Sequence, residues 1–165
     1  MRHEIYLAGG CFWGTQKFFD QFDGVTETTV GYANGKTAAP TYEEVCRMGT
    51  DHAETVRIVF DEKRLPAARL LELYFLTIDP LSVDRQGGDV GRQYRTGIWY
   101  DDETLAPAVG EAVRREEEKY GQALAVETGP LVHFYPAEEY HQKYLDKNPG
   151  GYCHIPRRLL ELSGK

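Results

Sequence analysis

One cysteine of this chain stands where a sulfur could react. Gly9-Gly10-Cys11-Phe12-Trp13-Gly14 follows a short apolar run, Ile5-Tyr6-Leu7-Ala8, and precedes aromatics at helical spacing, Phe12, Phe18, Phe19 and Phe22. A strand, a Gly-Gly turn and a helix would set Cys11 at the helix N-terminus, where unpaired backbone N–H groups and the dipole stabilise a thiolate. Phe12 and Trp13 would offer an apolar surface directly beside it. Two readings are open here: a nucleophilic thiolate, or a structural cysteine buried against a Phe/Trp core, since free cysteine is among the most buried residue types. A second cysteine, Cys153, ends the Gly- and Pro-containing run Asn148-Pro149-Gly150-Gly151-Tyr152-Cys153, a composition that makes a mobile tail. The third, Cys46, falls on a predicted helix beside Val45 and reads as a small apolar structural residue.

A carboxyl group stands out by its place in a strand pattern. Glu54, Val56, Ile58 and Phe60 share one face of a predicted strand, and Thr55, Arg57, Val59 and Asp61 share the other. The first face is the more apolar and is expected to meet the core. A carboxyl group there loses hydration, which raises its pKa and keeps it protonated near neutral pH. The alternative is a strand-end glutamate that bends out to solvent.

The motif around Cys11, Gly-Cys-Phe-Trp-Gly, resembles the active-site signature of the methionine sulfoxide reductase A family. Pro40-Thr41-Tyr42, Asp51-His52-Ala53-Glu54-Thr55-Val56, Asp79-Pro80, Arg85-Gln86-Gly87-Gly88-Asp89-Val90-Gly91, Gln93-Tyr94-Arg95 and Asn148-Pro149-Gly150-Gly151-Tyr152-Cys153 resemble further family segments in the same order. The resemblance implies thiol-dependent reduction of the S epimer of methionine sulfoxide, free or protein-bound. Cys11 would be the nucleophile and Glu54 the acid that protonates the departing oxygen. Tyr42 and Tyr94 would donate to that oxygen, and Asp89 would stand near the substrate. Phe12 and Trp13 would form the pocket for the substrate methyl group. The resemblance also implies a Cys11 sulfenic acid that condenses with Cys153, the resolving cysteine, to a disulfide opened by thioredoxin or another dithiol. No cofactor and no metal are expected. Gly31-Tyr32-Ala33-Asn34-Gly35 and Ala39-Pro40-Thr41 depart from the usual family forms and are expected to alter the pocket rim.

The elements that must position these residues follow from periodicity. The chain of 165 residues reads as a single catalytic domain over 1–165, with 147–165 as a mobile tail carrying the resolving cysteine. Strands are predicted over Ile5–Ala8, Val25–Ala33, Ala53–Phe60, Gly97–Tyr100 and Leu131–Tyr135. Helices are predicted after Cys11, from a Thr41-x-x-Glu44 capping box through Met48, around Leu70–Ile78, over Asp102–Tyr120 and over Ala137–Asp146, with a last helical turn at Arg157–Leu162. Residues Asp79 to Arg95 read as a long polar loop. Alternating helices and short strands indicate a mixed α/β protein; the resemblance implies an α+β two-layer sandwich, a mixed sheet flanked by helices, with a long C-terminal coil.

Composition narrows the partners. A net charge of −7 argues against nucleic acid and anionic membrane surfaces, and no window approaches the roughly 18 apolar residues of a membrane span. Met1-Arg2-His3-Glu4 runs directly into the first strand and is expected to leave no room for a signal peptide, which indicates a cytoplasmic protein. Three cysteines, an odd count in a reducing compartment, argue against a disulfide framework. The rival readings are a thiol hydrolase using one of five histidines as base, and a metal module built on Cys11, Cys46, Cys153, His52 and His154. No histidine lies in a local base signature, and the adjacent Cys153 and His154 share a tetrahedral site poorly.

Overall fold

The first strand, β1 (Arg2–Gly9), is buried from Ile5 onward because it is paired on both sides in the middle of a sheet. It ends at Gly10, whose φ of 88° favours glycine, and Cys11 then stands at the N-cap of α1 (Phe12–Asp20). The computed structural model describes residues 2–164. β2 (Val25–Ala33), α2 (Tyr42–Arg47), β3 (Ala53–Asp61) and α3 (Ala67–Leu76) follow. A short hairpin of β4 (Arg85–Gln86) and β5 (Asp89–Val90) precedes β6 (Thr96–Tyr100), α4 (Ala106–Tyr120), β7 (Glu127–Pro130) and β8 (Phe134–Pro136). The chain closes with α5 (Tyr144–Lys147) and α6 (Arg157–Leu160). The capping box opens α2 as expected: the Glu44 N–H donates to Thr41 Oγ1 at 3.2 Å and the Thr41 N–H to Glu44 Oε1 at 2.9 Å.

The main sheet has six strands in the order β7-β6-β1-β3-β2-β8. All its pairings are antiparallel except β6 with β7, so the sheet is mixed. One face carries the larger core: Ile5, Leu7, Val30, Val56, Ile58 and Ile98 pack against Phe18 and Phe19 of α1, Leu70, Leu71 and Tyr74 of α3, and Val109 of α4. That arrangement is the expected helix layer on a sheet layer. A smaller cluster, Tyr6, Ala8, Ala33, Ala53 and Trp99 with Leu131 and Phe134 against it, covers the other face.

The sheet is strongly rolled toward this smaller cluster. β7 and β8 lie at opposite edges yet are joined by residues 131–133 alone. A flat sheet of this width would separate its outer strands by about 24 Å, whereas the chain from Pro130 to Phe134 reaches roughly 14 Å at most. Small residues on the concave face permit the roll. At Gly31 a Cβ would fall 2.5 Å from the Phe134 ring.

Two predicted elements are corrected. The strand over Leu131–Tyr135 is instead a crossing segment, with β7 before it and β8 after it. The helix over Ala137–Asp146 is broken into a 3-10 turn at Glu139–His141 and the short α5, with Lys143 at a φ of 55° between them. Tertiary hydrogen bonds win over local helix propensity here: Gln142 accepts from the Val30 N–H at 3.0 Å and donates to the Val30 carbonyl at 2.9 Å, while the Lys143 N–H donates to Gln16 Oε1 at 2.8 Å.

Candidate active site

The end of β1, the start of α1 and the start of β3 meet at one point. β3 places Glu54, Val56, Ile58 and Phe60 on the face that meets the helices, and Glu54 is 1% exposed. Its Oε1 accepts the Phe12 N–H, one of the unpaired donors at the start of α1, at 3.2 Å. Burial pushes the Glu54 carboxyl up to about 8, helped by the Asp89 carboxylate and opposed by the Phe12 N–H. The group is therefore an acid at neutral pH. Because Oε1 receives a hydrogen bond, the proton sits on Oε2, which is buried and has no protein partner. A buried O–H donor with nothing to donate to is poised for an incoming oxygen.

Cys11 stands beside this acid and is 6% exposed. The expectation of a standing thiolate is corrected: burial, followed by the nearby Glu54, pushes the thiol well above its ordinary value, although the Trp13 backbone N–H pulls the other way. A helix N-terminus of this length does not offset near-complete desolvation. The thiol rests protonated.

Tyr42 opens α2 with its backbone N–H on Glu138 Oε2 at 3.0 Å; Glu138 Oε1 in turn accepts from the Tyr32 hydroxyl at 2.8 Å. Tyr94 ends a 3-10 turn, Arg92–Tyr94. Burial first and Glu54 second raise both phenols, so both remain neutral O–H donors. Asp89 comes from the hairpin inside the long loop, which proves ordered. Gln86 is 3% exposed and staples it, accepting from the Asp79 N–H at 2.8 Å and donating to the Asp79 carbonyl at 3.0 Å. Arg92 ties the same loop to the entrance of β3, through Asp51 at 2.7 Å and Asp84 at 2.9 Å. Asp89 Oδ2 is buried without a protein partner, and its charge acts on Glu54, Cys11 and Tyr94.

Phe12 and Trp13 divide the roles expected of them. Phe12 is 1% exposed and belongs to the core. Trp13 is half-buried, its Nε1–H donating to His141 Nδ1 at 2.9 Å, its ring stacked on Tyr144 with centroids 3.8 Å apart. His141 also packs on Tyr42 with centroids 4.4 Å apart, which joins the indole to the phenol. Sequence reasoning missed His141, Tyr144 and Glu138 altogether. The clustering of acid, aromatic and imidazole in Glu138-Glu139-Tyr140-His141 was the available signal, and reading that segment as an ordinary helix obscured it.

Cys153 is half-buried, its S–H donating to the Ile155 carbonyl at 3.6 Å. It docks on the first turn of α1: a Cβ built on Gly14 would lie 2.9 Å from its Sγ. The last glycine of the Cys11 motif is thus the space that the Cys153 sulfur occupies. The tail is anchored beyond that point by Ile155 and Leu159, both buried, and by Gln21 donating to the Leu159 carbonyl at 2.8 Å. Residues 146–150 are exposed. Cys46 is half-buried rather than enclosed, and its thiol responds to the Tyr42 hydroxyl and to Glu54, which puts it near the site. His52, next to Glu54 in sequence, is spent on structure: Nδ1 accepts from Gly35 N–H at 3.1 Å and Nε2–H donates to Thr37 O at 2.7 Å. Neither nitrogen is left for a metal or for a thiol.

A protonated carboxyl group beside a buried thiol at a helix start, with a second thiol docked on the same helix, is the equipment of a thiol-based oxidoreductase. Residues 3–162 match the family described as peptide methionine sulfoxide reductase, and the chain belongs to that family. It is 56% identical to the peptide methionine sulfoxide reductase MsrA of Lachnoclostridium phytofermentans over 155 residues, which are 94% of this chain and 93% of that one. Its fold is similar to that of Mxr1 from Saccharomyces cerevisiae in reduced form, with a TM-score of 0.88, 35% identity and coverage of 94% and 91% of the two chains. Mxr1 in complex with Trx2 is also similar, with a TM-score of 0.62, 25% identity and coverage of 87% and 84%. The chain is therefore an oxidoreductase that reduces methionine sulfoxide.

Proposed function

We propose that the protein reduces the S epimer of methionine sulfoxide, free or within oxidised proteins, through a Cys11 sulfenic acid, and that Cys153 resolves it to a Cys11–Cys153 disulfide reopened by a thioredoxin. The observation that carries this reading is the Glu54 carboxyl, protonated at neutral pH by burial, with its Oε2 unpartnered beside the Cys11 thiol. A sulfoxide oxygen bound there accepts the Glu54 proton, with Tyr42 and Tyr94 as further donors. Protonation makes the substrate sulfur electrophilic, and Cys11 attacks it as its own thiol proton is lost. The protonated oxygen then passes to the Cys11 sulfur as the substrate S–O bond and the transient bond between the two sulfurs break. The substrate gains two electrons and leaves as the thioether, Cys11 loses two and carries the oxygen as sulfenic acid, and the Cys11 thiol proton replaces the one Glu54 gave up.

Epimer choice follows from opposed walls. With the oxygen at Glu54 and the methyl group against the Trp13 indole, only one sulfoxide configuration leaves the remaining substituent pointing outward. The opposite epimer must place either its methyl group on the donors or its oxygen on the indole.

The second step needs Cys153 to reach Cys11, because a disulfide requires Cα atoms within about 4.4–6.8 Å. Docking of Cys153 on Gly14, one turn along the same helix, supports this pairing, and we assign the exposed stretch 146–150 as the hinge that lets Cys153 move, with Ile155 and Leu159 holding the chain beyond it. Trx2, the thioredoxin found with the similar Mxr1, supports a thioredoxin as the external reductant. Three free thiols suit a reducing compartment such as the cytoplasm, and repair of oxidised proteins under oxidative stress is the role this chemistry fits. Separated S and R epimers incubated with dithiothreitol test the reading: methionine forms from the S epimer. Equal rates from both epimers would refute the opposed-wall account.

A further inference from the structure

The ring of His154 lies across the start of α1. Its Nε2–H donates to the Gly9 carbonyl at 2.8 Å, which leaves Nδ1 as the nitrogen with the lone pair. That Nδ1 is buried and has no hydrogen-bond partner. The ring is seated closely. A Cβ on Gly10 would lie 3.1 Å from Nε2, and one on Gly14 would lie 3.4 Å from Nδ1 and 2.9 Å from the Cys153 sulfur. The lone pair and the Cys153 thiol therefore border the same point of α1. Gly14 is three residues beyond Cys11, so that point is on the helix face Cys11 itself occupies. Nothing in the reduction of the sulfoxide uses this nitrogen, and leaving a buried acceptor unmatched costs free energy.

We propose that His154 is the proton acceptor of the resolving step, its Nδ1 taking the Cys153 thiol proton as that sulfur attacks the sulfenic acid on Cys11. The inference rests on the reading that Cys153 resolves Cys11. The S–S bond forms as the Cys11 S–O bond breaks; the Cys153 sulfur is oxidised and the Cys11 sulfur reduced by the same amount. The proton passes from Nδ1 to the departing hydroxide, which leaves as water. In the resting state the Cys153 S–H points instead to the Ile155 carbonyl, and rotation about its Cα–Cβ bond turns it toward the ring. Burial holds the imidazole below its ordinary value, against the Gly9 carbonyl and the Asp89 carboxylate, which raise it. Asp89 from β5, Cys11 at the start of α1 and Cys153 itself are the titratable groups around it.

The test is stopped-flow oxidation of the full-length protein with one equivalent of S sulfoxide, following methionine formed and the Cys11–Cys153 link separately, from pH 5 to 10. His154→Gln retains an amide N–H for the Gly9 carbonyl but offers no base. Formation of the link is expected to slow about 10²-fold at pH 7 and to approach wild type only at the alkaline end of the range, where Cys153, whose thiol burial holds above its ordinary value, begins to ionise unaided. The single burst of methionine reports that the variant is folded. An unchanged rate of linkage, or a slowing by the same factor at every pH, would overturn the base role. Should His154→Gln give no burst, the wild-type profile decides: linkage must rise through an inflection below the ordinary histidine value of about 6.5, and a rise set only by a thiol would overturn the proposal. Wild type that forms methionine but no Cys11–Cys153 link would instead remove Cys153 as the resolving residue.

Discussion

The surroundings of the two thiols on α1 differ in kind. Cys11 is built into the rigid centre of the molecule, between the end of β1 and the start of α1, with Glu54 held on β3 by the Phe12 N–H. Cys153 lies on a segment that only rests against the same helix, bracketed by exposed residues 146–150 on one side and the anchors Ile155 and Leu159 on the other. The difference matches two chemical demands. Proton delivery to an oxygen depends on a donor placed within a few tenths of an ångström, which buried strands provide. Disulfide closure depends on one sulfur travelling to another, which a peripheral segment provides. Burial also sets the charge states: it makes Glu54 an acid and keeps Cys11 a thiol, so both groups rest protonated at neutral pH.

The largest effects should come from breaking the rigid half. Cys11→Ser should abolish methionine formation under every reductant, because a serine hydroxyl cannot take up the oxygen; a measurable single turnover by this variant would remove Cys11 from the mechanism. Glu54→Gln should lower the chemical step by about 10²–10⁴-fold with little change in substrate affinity, measured as kcat against KM. In wild type, kcat should fall as pH rises through about 8, where Glu54 loses its proton, and the fall should vanish from the residual activity of Glu54→Gln. Stability supplies an opposite signature. The folded carboxyl at about 8 lies above its ordinary 4.5, so the native state binds the extra proton between these values. As the unfolded group ionises while the folded one keeps its proton, stability is lost progressively from pH 4.5 to 8 and by a constant amount above, on the order of 5 kcal/mol. Glu54→Gln should therefore unfold later than wild type in urea at pH 9 and lose that advantage near pH 4.

A smaller effect should isolate the peripheral half. Gly14→Ala places a methyl group 2.9 Å from the Cys153 sulfur, and the tail segment must shift to accept it. The burst of one methionine per protein should survive, whereas steady turnover with thioredoxin should fall roughly tenfold, an allowance for a displaced but still tethered sulfur. Cys153→Ser should show the same burst with no thioredoxin turnover at all. Loss of the burst in Gly14→Ala would mean that the two halves are not separable.

The same division explains what could be read from the sequence. Glu54 was legible because alternation along a strand is local, and Cys11 at a helix start was legible from the Gly-Gly turn. The state of the Cys11 thiol was not, since depth of burial is set by α1, β1, β3 and the tail together, and it outweighs the helix terminus. The sheet's roll and the broken 137–146 helix were hidden for a related reason: both depend on partners distant in sequence, Phe134 on Gly31 and Gln142 on Val30. Trp13 was legible as an aromatic next to the sulfur, but its clamp of His141 and Tyr144 comes from a segment about 130 residues away, beyond any local periodicity.

The smallest effects should come from the phenols. Tyr42 is positioned by its backbone N–H on Glu138 and by packing on His141, and neither contact uses its hydroxyl. Tyr42→Phe therefore removes one neutral donor and leaves the ring in place. A neutral hydrogen bond contributes about 0.5–1.5 kcal/mol, which corresponds to a loss of about 2- to 12-fold in kcat. Tyr94→Phe should cost a similar amount. If both phenols donate to the same oxygen, each single loss is partly covered by the other, and the double variant should fall by more than the product of the two single losses. Kinetics of the two single variants and the double with the S sulfoxide decide it. A simple product would assign the hydroxyls to separate tasks, and single losses as large as that of Glu54→Gln would move the acid role from the carboxyl group to a phenol.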